Sequence, residues 1–190
     1  VRDTLTPWMT EIDNTVLLLL SPEPGQARLG GSVLAQTQRV FGNEVPDISS
    51  PPRLKRLLNH VLDFNRRGLL LAYHDRSDGG LFSAVAEMAF AGRCGIDLDI
   101  SALGDDALSA LFCEEVGVVI QHRAGDTAQV EQILQTHDLS ELSHAIGRPN
   151  TDNELVIHHH NDELYRASTI ALHAAWAELT YRMQAQRDNP

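Results

Sequence analysis

The sequence predicts a layered α/β (α+β) fold in which helices pack against a sheet. Short apolar runs, typical of buried strands, alternate along the chain with segments whose apolar residues recur at helical spacing. The connections between these segments are short, as expected when each helix packs against the strands that flank it. Hydrophobic residues make up 43% of the 190 positions, which is enough for one sizeable core. We therefore expect residues 1–190 to form a single domain.

The first third of the chain predicts one strand and two helices. Residues 15–20 are a continuous apolar run that ends at a turn rich in proline and glycine. Gly30 and Gly31 then precede a helical pattern that extends through Val40. A longer helix follows Ser50, which stands at the N-cap position before two prolines. The predicted apolar stripe of this second helix comprises Leu54, Leu57, Leu58, Val61 and Leu62.

Residues 69–90 are the stretch around which the chain is organised, and they predict a strand, a loop and a helix. Residues 69–73 are continuously apolar, as in a strand that is covered on both faces. Residues 74–78 are polar and precede two glycines, so we predict a loop there. Either Ser77 or Asp78 would be the N-cap of the following helix. The apolar residues of that helix, at helical spacing, are Leu81, Val85, Met88 and Ala89.

The predicted loop contains residues that could bind a phosphate group. A helix N-terminus presents unpaired backbone N–H groups, and Gly79 and Gly80 would let an anion approach the backbone closely. Asp75 offers the carboxylate oxygen that Mg²⁺ prefers when it bridges to phosphates, and Ser77 offers a hydroxyl donor. The same residue types also form ordinary capped turns, so both interpretations stay open.

Two sharper hypotheses for this loop fail. A hydrolytic triad of His74, Asp75 and Ser77 is unfavourable because such groups normally converge from distant segments of the chain. The sequence also lacks the glycine patterns of a P-loop or a dinucleotide-binding turn. For Gly30 and Gly31, a weaker second ligand site and a close backbone contact both remain possible.

The rest of the chain continues the alternation of strands and helices. Residues 96–100 alternate aliphatic side chains with Asp97 and Asp99, which predicts a strand with one wet face. Further helices are predicted at residues 105–112 and 126–137 and from residue 168 onwards, and further strands at 116–121, 142–146, 155–158 and 164–166.

Two clusters outside the loop could suggest chemistry, but simpler interpretations are favoured. Glu114 and Glu115 stand where a helix gives way to a strand, so we expect a solvated helix end rather than an acid/base pair. Residues 158–160 are three consecutive histidines, and consecutive strand residues point to opposite faces. They should therefore not bind one metal ion together.

Composition limits the partners and the compartment. A formal charge of −11 and a pI near 5.1 argue against nucleic acid and against an anionic membrane surface. The longest apolar run, residues 16–20, is too short to cross a bilayer. Cys94 and Cys113 have no metal-binding or disulfide-rich spacing, so we expect buried, reduced thiols and a cytoplasmic protein.

The chain resembles the C-terminal half-domain of the formylglycinamidine ribonucleotide synthetase (phosphoribosylformylglycinamidine synthase) family. Three segments carry this resemblance: AYHDRSDGGL, AEMAFAGRCGIDLDI and LFCEEVGVVIQ. Their combination is specific, although the aspartate–serine–glycine motif alone is shared more widely. The resemblance extends over most of the chain and is to the second such half-domain of the long, single-chain form.

The resemblance implies a fold and an activity. The fold would be a three-layer α/β/α arrangement with a mixed sheet and partial ferredoxin-like topology, like the C-terminal domain of aminoimidazole ribonucleotide synthetase. The activity would be that of an ATP-dependent ligase of purine biosynthesis that uses ammonia released from glutamine. Its cofactors would be ATP or ADP and Mg²⁺, and the site to which this half-domain contributes would be an auxiliary, structural one.

The resemblance also implies site residues and partners. Asp75 would be a Mg²⁺ ligand, Ser77 a nucleotide contact, and Gly79 and Gly80 would leave the helix start open to the phosphates. Preceding half-domains and a glutaminase domain of the same polypeptide would be the partners, with residues 1–14 and 184–190 as linkers. The isolated domain should then be inactive.

Three alternatives remain. The chain could be a half-domain of the related aminoimidazole ribonucleotide or selenophosphate synthetases, which use similar half-domains. It could be a non-catalytic ferredoxin-like module that binds a small metabolite. It could also be scaffold only, with an ordinary capped turn at residues 77–80.

Overall fold

The computed structural model describes residues 4–23, 25–42, 44–136 and 139–188. Seven strands form one sheet: β1 (Thr15–Leu20), β2 (Leu70–Arg76), β3 (Gly95–Asp99), β4 (Gly117–Arg123), β5 (Ser143–Asn150), β6 (Glu154–His159) and β7 (Asp162–Ser168). The α-helices in the described ranges are α1 (Val33–Thr37), α2 (Pro51–Arg66), α3 (Gly80–Gly92), α4 (Ala107–Phe112), α5 (Thr127–Thr136) and α6 (Thr169–Asp188).

The sheet is mixed, as predicted, with the strand order β2-β4-β1-β5-β3-β6-β7. Strands β3 and β6 run parallel, and the other neighbouring pairs are antiparallel. β1 lies inside the sheet between β4 and β5, which explains its continuous apolar sequence. β2 lies at one edge, and its residue Asp75 is paired with Val118.

Two hydrophobic cores, one on each face of the sheet, confirm the three-layer α/β/α arrangement. Leu17 and Leu19 of β1 pack with α3 and α4 on one face. Leu18 and Leu20 pack with α2 and α5 on the other face. Successive strand residues point to opposite faces, so alternate residues of this apolar run are buried in different cores.

Strand β2 is longer than the sequence predicted. The predicted loop of residues 74–78 is wrong for its first half, because His74, Asp75 and Arg76 continue the ladder opposite Val119, Val118 and Gly117. Polar residues can continue a strand when its backbone is paired, and Arg76 is buried despite its charge. The connection to α3 therefore comprises only residues 77–79.

Helices α1 and α2 differ from their predicted patterns. α1 ends at Thr37 and not near Val40, because Arg39 adopts a left-handed conformation with φ of 57°. In α2 the buried residues are Leu57, Val61 and Phe64, whereas Leu58 and Leu62 of the predicted stripe are 46% and 51% exposed. The buried face of α2 is thus narrower than the sequence suggested.

The prediction of one wet face on β3 is confirmed. Ile96, Leu98 and Ile100 are fully buried, while Asp97 is partly exposed and Asp99 is exposed. A groove of about 650 Å³ runs along this polar side and includes Arg148. It lies beside β3 and β5 and away from the loop at the end of β2.

The two ends of the described chain differ in how far they are buried against the rest of the domain. Residues 4–14, predicted to be a linker, include Met9, which is 1% exposed in the core. Helix α6 packs against α3 but is largely exposed, and it continues through residue 188. Residues 1–3, 189 and 190 of the predicted linkers, and residue 137 of a predicted helix, lie outside the described residues.

Two expectations from composition can be compared with the structure. Cys94 and Cys113 are both buried and unbonded to each other, as predicted. Within the described parts of the chain, no helix combines the length and the apolar character needed to cross a membrane.

Candidate functional site

The turn from β2 to α3 is narrow and depends on its two glycines. Gly79 and Gly80 have φ values of 79° and 67°, a left-handed conformation that other residues adopt at a cost. The backbone N–H of Gly80 donates to the carbonyl of Ser77 at 2.9 Å. A Cβ atom on Gly80 would lie only 2.6 Å from the carbonyl oxygen of Leu111. The turn therefore packs directly against the end of α4.

The start of α3 is closed by a carboxylate that no local sequence pattern indicated. The predicted N-cap, Ser77 or Asp78, is wrong: Gly79 occupies that position, and no side chain caps the helix from there. The backbone N–H of Gly79 instead donates to Oε1 of Glu114 at 2.9 Å. The same oxygen accepts from the backbone N–H of Val33 at 2.8 Å, at the start of α1.

The expectation of a solvated end at Glu114 and Glu115 is therefore wrong. Glu115 is fully buried, and its carboxylate accepts from Nε and Nη2 of Arg28 at 2.6 and 2.8 Å. The backbone N–H of Arg28 also donates to Glu115 at 3.1 Å. These bonds attach the loop before α1 to the start of β4. Because the two residues are 87 positions apart, no local pattern could have revealed the pair.

Asp75 and Ser77 are exposed on either side of the buried Arg76. Oδ1 of Asp75 accepts a short hydrogen bond from the hydroxyl of Tyr73. Burial, together with the neighbouring Asp75 carboxylate, raises the pKa of the Tyr73 hydroxyl, so Tyr73 stays a donor. The Asp75 carboxylate is thus oriented by one hydrogen bond.

Arg76, which falls in the predicted loop of residues 74–78, is instead the last residue of β2 and faces the interior. Its Nε donates to the carbonyl of Glu115 at 2.6 Å, and its Nη2 lies 3.2 Å from Oγ of Ser21 and 3.3 Å from the carbonyl of Val116. Burial lowers the pKa of its guanidinium. Arg76, which stands between Asp75 and Ser77 in the sequence, therefore links the end of β2 to Ser21 and to the segment before β4.

His74 connects the end of β2 to two helices. Its Nδ1 lies 2.8 Å from the carbonyl oxygen of Asp75, and its Nε2 lies 2.8 Å from Oε2 of Glu87 in α3. The other oxygen of Glu87 accepts from Nε1 of Trp176 in α6 at 3.0 Å.

This chain can supply one part of a Mg²⁺ site. Among the described residues no group of three histidine, cysteine or acidic side chains is placed to hold a metal ion. Mg²⁺ bound to a nucleotide is commonly held by one or two carboxylates together with phosphates and water, so the exposed carboxylate of Asp75 fits that limited role. The expectation that consecutive histidines point to opposite faces is wrong for His159 and His160, whose rings lie 4.2 Å apart because His160 follows the end of β6 with a φ of 56°. His159 bonds to the carbonyl of Gly104, and His160 lies near Asp105.

The second glycine pair makes a close backbone contact, one of the two interpretations left open. The N–H of Gly30 donates to the carbonyl of Glu44 at 2.6 Å, and a Cβ on Gly30 would lie 2.1 Å from that oxygen. Gly31 has a φ of 73° and its N–H donates to the carbonyl of Phe41. These contacts explain both glycines without a ligand.

These features define a three-layer α/β domain with an acidic strand-to-helix turn at one edge of its sheet. Residues 12–160 match the protein family described as "AIR synthase related protein, C-terminal domain". The chain belongs to this family.

Solved structures share the fold at low sequence identity. Thermotoga maritima PurL complexed with FGAR aligns with a TM-score of 0.74 and 14% identity over 90% of this chain and 29% of that chain. The same protein complexed with ATP gives 0.70 and 15% over 90% of this chain and 27% of that one. Escherichia coli HypE, a hydrogenase maturation protein, gives 0.58 and 19% over 84% of this chain and 50% of that chain.

The chain thus spans less than a third of the length of the PurL structures. The likeness establishes the fold. The assignment of Asp75, Ser77, Gly79 and Gly80 to a nucleotide site stays a prediction.

Proposed function

We propose that this chain is a half-domain of an ATP-dependent C–N ligase. The ligase would make formylglycinamidine ribonucleotide from formylglycinamide ribonucleotide, ATP and glutamine. Membership of the AIR synthase related family and the fold shared with PurL support this proposal. PurL structures are described as complexed with ATP and with ADP, which supports a nucleotide as the ligand.

The observation that carries the proposal is the placement of Asp75 and Ser77. Both are exposed at the edge of the sheet, and the buried Arg76 between them is held by three hydrogen bonds. The chain therefore presents a carboxylate and a hydroxyl from a rigid base, as a preformed site requires.

Each predicted residue has a separate task in this proposal. Asp75 would be a ligand of Mg²⁺, and Ser77 would donate to a phosphate oxygen. Bound Mg²⁺ would neutralise charge on the phosphates. Gly79 and Gly80 would keep side chains away from the phosphates. Because the N–H of Gly79 donates to Glu114, a phosphate would have to share or replace that contact to reach the helix start.

The site would be auxiliary, with its remaining ligands outside this chain. Asp75 alone cannot complete the coordination of Mg²⁺, so preceding half-domains of the same polypeptide would supply the other ligands. A glutaminase domain would release the ammonia. The isolated domain would bind no nucleotide tightly and would have no ligase activity.

A second candidate is supported by the HypE likeness. HypE shares the fold over 84% of this chain, so the fold alone does not select one reaction. A related ATP-dependent synthetase, such as aminoimidazole ribonucleotide or selenophosphate synthetase, would use the same half-domain. Non-catalytic binding and pure scaffold are further alternatives, and both predict that Asp75 is dispensable.

The reaction is tested with the full-length polypeptide that contains this chain. We expect ADP release that requires formylglycinamide ribonucleotide together with glutamine, and formation of the amidine product by mass spectrometry. ATP consumption driven by selenide, or by formylglycinamidine ribonucleotide without glutamine, would instead support the synthetase alternative. No ATP consumption dependent on any of these substrates would leave the non-catalytic alternatives.

A further inference from the structure

Three side chains connect helix α6 to the strand that carries Asp75. Nε1 of Trp176 donates to Oε1 of Glu87 at 3.0 Å. Oε2 of Glu87 lies 2.8 Å from Nε2 of His74, and Nδ1 of His74 lies 2.8 Å from the carbonyl oxygen of Asp75. The chain of contacts thus begins on α6, crosses α3 and ends on the backbone of Asp75.

The position of Asp75 in the sheet explains why its carbonyl oxygen contacts His74 and not another strand. β2 is an edge strand, so one side of its backbone has no neighbouring strand. The N–H of Tyr73 already bonds outside the ladder, to the carbonyl of Thr6 at 3.0 Å. Asp75, two residues further along, faces the same outer side, because strand backbones alternate their hydrogen-bonding direction. Nδ1 of His74, in the tautomer that carries its proton there, donates to this carbonyl in place of a neighbouring strand.

Trp176 is placed by packing as well as by its hydrogen bond. It is 61% exposed, yet its ring lies 6.1 Å from that of Phe90 and 5.8 Å from that of His173. The ring of His173 in turn stacks on Phe90 at 4.9 Å. Residues beyond 160, which include α6, lie outside the part of the chain that matches the family.

We propose that Trp176 and Glu87 are positioning residues for the nucleotide site at Asp75. They hold His74, and His74 contacts the backbone carbonyl of Asp75. The Asp75 carboxylate would thereby be held in place as a Mg²⁺ ligand. This inference rests on the proposed function. Groups that orient a metal ligand from behind affect metal affinity without touching the metal.

The test uses the full-length polypeptide and two variants that remove single groups. Trp176→Phe keeps the aromatic packing and removes the N–H donor. Glu87→Leu removes both acceptor oxygens at similar volume. The matched control is Glu178→Leu, the same substitution on the exposed side of α6, where Glu178 pairs with Arg182.

The readouts are the Mg²⁺ concentration needed to retain nucleotide and the melting temperature of the nucleotide-free protein. Both variants should raise the Mg²⁺ concentration needed to retain nucleotide by about 10-fold, and the control should leave it unchanged. The melting temperatures of the two variants and the control should equal that of wild type. Retention equal to wild type in both variants would overturn the proposal. A loss that also appears in Glu178→Leu, or only together with a lowered melting temperature, would overturn it as well, since a structural effect would then explain it.

Asp75→Asn separates this inference from the proposed function. If Asp75→Asn loses nucleotide while Trp176→Phe and Glu87→Leu do not, the positioning role fails and the nucleotide site stands. If Asp75→Asn retains nucleotide as wild type does, the proposed site itself fails.

Discussion

The carboxylate of Glu114 and the backbone N–H of Gly79 form a 2.9 Å hydrogen bond that closes the start of α3. The same oxygen accepts from Val33, so one carboxylate joins the two glycine-led helix starts of the chain. Carboxylates are favourable at helix N-termini because of the unpaired amides and the positive end of the helix dipole.

Glu114→Ala should lower the free energy of unfolding by about 1–2 kcal/mol, because it leaves two backbone donors without their acceptor. Glu114→Gln keeps an acceptor oxygen and should lose less. Urea unfolding of both variants checks this, with the exposed Glu131→Ala as control. Equal midpoints for Glu114→Ala and the control would contradict the bridging role.

Adjacent leucines of α2 should differ sharply in their contribution to stability. Leu57 is 1% exposed and Leu58 is 46% exposed. Leu57→Ala should lower the free energy of unfolding by about 2–5 kcal/mol, whereas Leu58→Ala should change it by no more than about 0.5 kcal/mol. Chemical denaturation of the pair measures the difference. Similar losses would mean that the face of α2 bearing Leu58 is buried.

Removing only one partner of the Arg28–Glu115 pair should lower the free energy of unfolding more than removing both partners does. Arg28→Ala leaves the carboxylate of Glu115 buried without its cation, which should cost about 3–5 kcal/mol. Adding Glu115→Leu to Arg28→Ala should recover part of that loss. A double-mutant cycle in urea measures the coupling. Additive losses would show that the two side chains act independently.

Glu23 should make stability depend on acid pH. Its carboxylate accepts from the hydroxyl and N–H of Ser49 and from the N–H of Ser50, which holds its pKa below the ordinary value of 4.5. The folded state therefore binds this proton less readily than the unfolded state does. The stabilisation is present above pH 4.5 and is lost as the pH falls through the folded pKa.

The matched variant for this effect is Glu23→Gln. The difference in unfolding free energy between wild type and Glu23→Gln should be largest near neutral pH and should shrink as the pH is lowered below about 4. Urea titrations across this range measure it. A difference that stays constant with pH would exclude the Glu23 carboxylate as its source.

The sequence predicted those parts of the fold that depend on local periodicity. The alternation of Ile96, Leu98 and Ile100 with Asp97 and Asp99 specified both a strand and its wet face, and the structure agrees. The length of β2 was not predictable in this way. Arg76 is buried through hydrogen bonds to Ser21 and to backbone carbonyls, so apolar content could not signal the last residues of the strand.

Contacts between distant segments account for the remaining differences. Glu115 meets Arg28, and Glu114 meets both Val33 and Gly79, through pairings that no short pattern contains. Trp176 is an apolar residue at helical spacing, which predicts burial. It is nevertheless mostly exposed, because only one side of α6 packs on other elements within the described residues. Local patterns did identify the turn that contains Ser77, but they placed Asp75 in that loop and not in β2. The ligand of the two residues stays a prediction.

The most direct test of a nucleotide site at this turn is the nucleotide content of the purified full-length polypeptide. Wild type is compared with the double variant Asp75→Asn with Ser77→Ala, and with a control pair of exposed residues on β7, Asp162→Asn with Ser168→Ala. The proteins are denatured, and released ADP and ATP are quantified. We expect nucleotide in wild type and control and its loss from the Asp75 and Ser77 variant with folding intact. Equal nucleotide in all three would contradict the site and leave Asp75 as a residue of an edge strand and Ser77 as a residue of an ordinary turn.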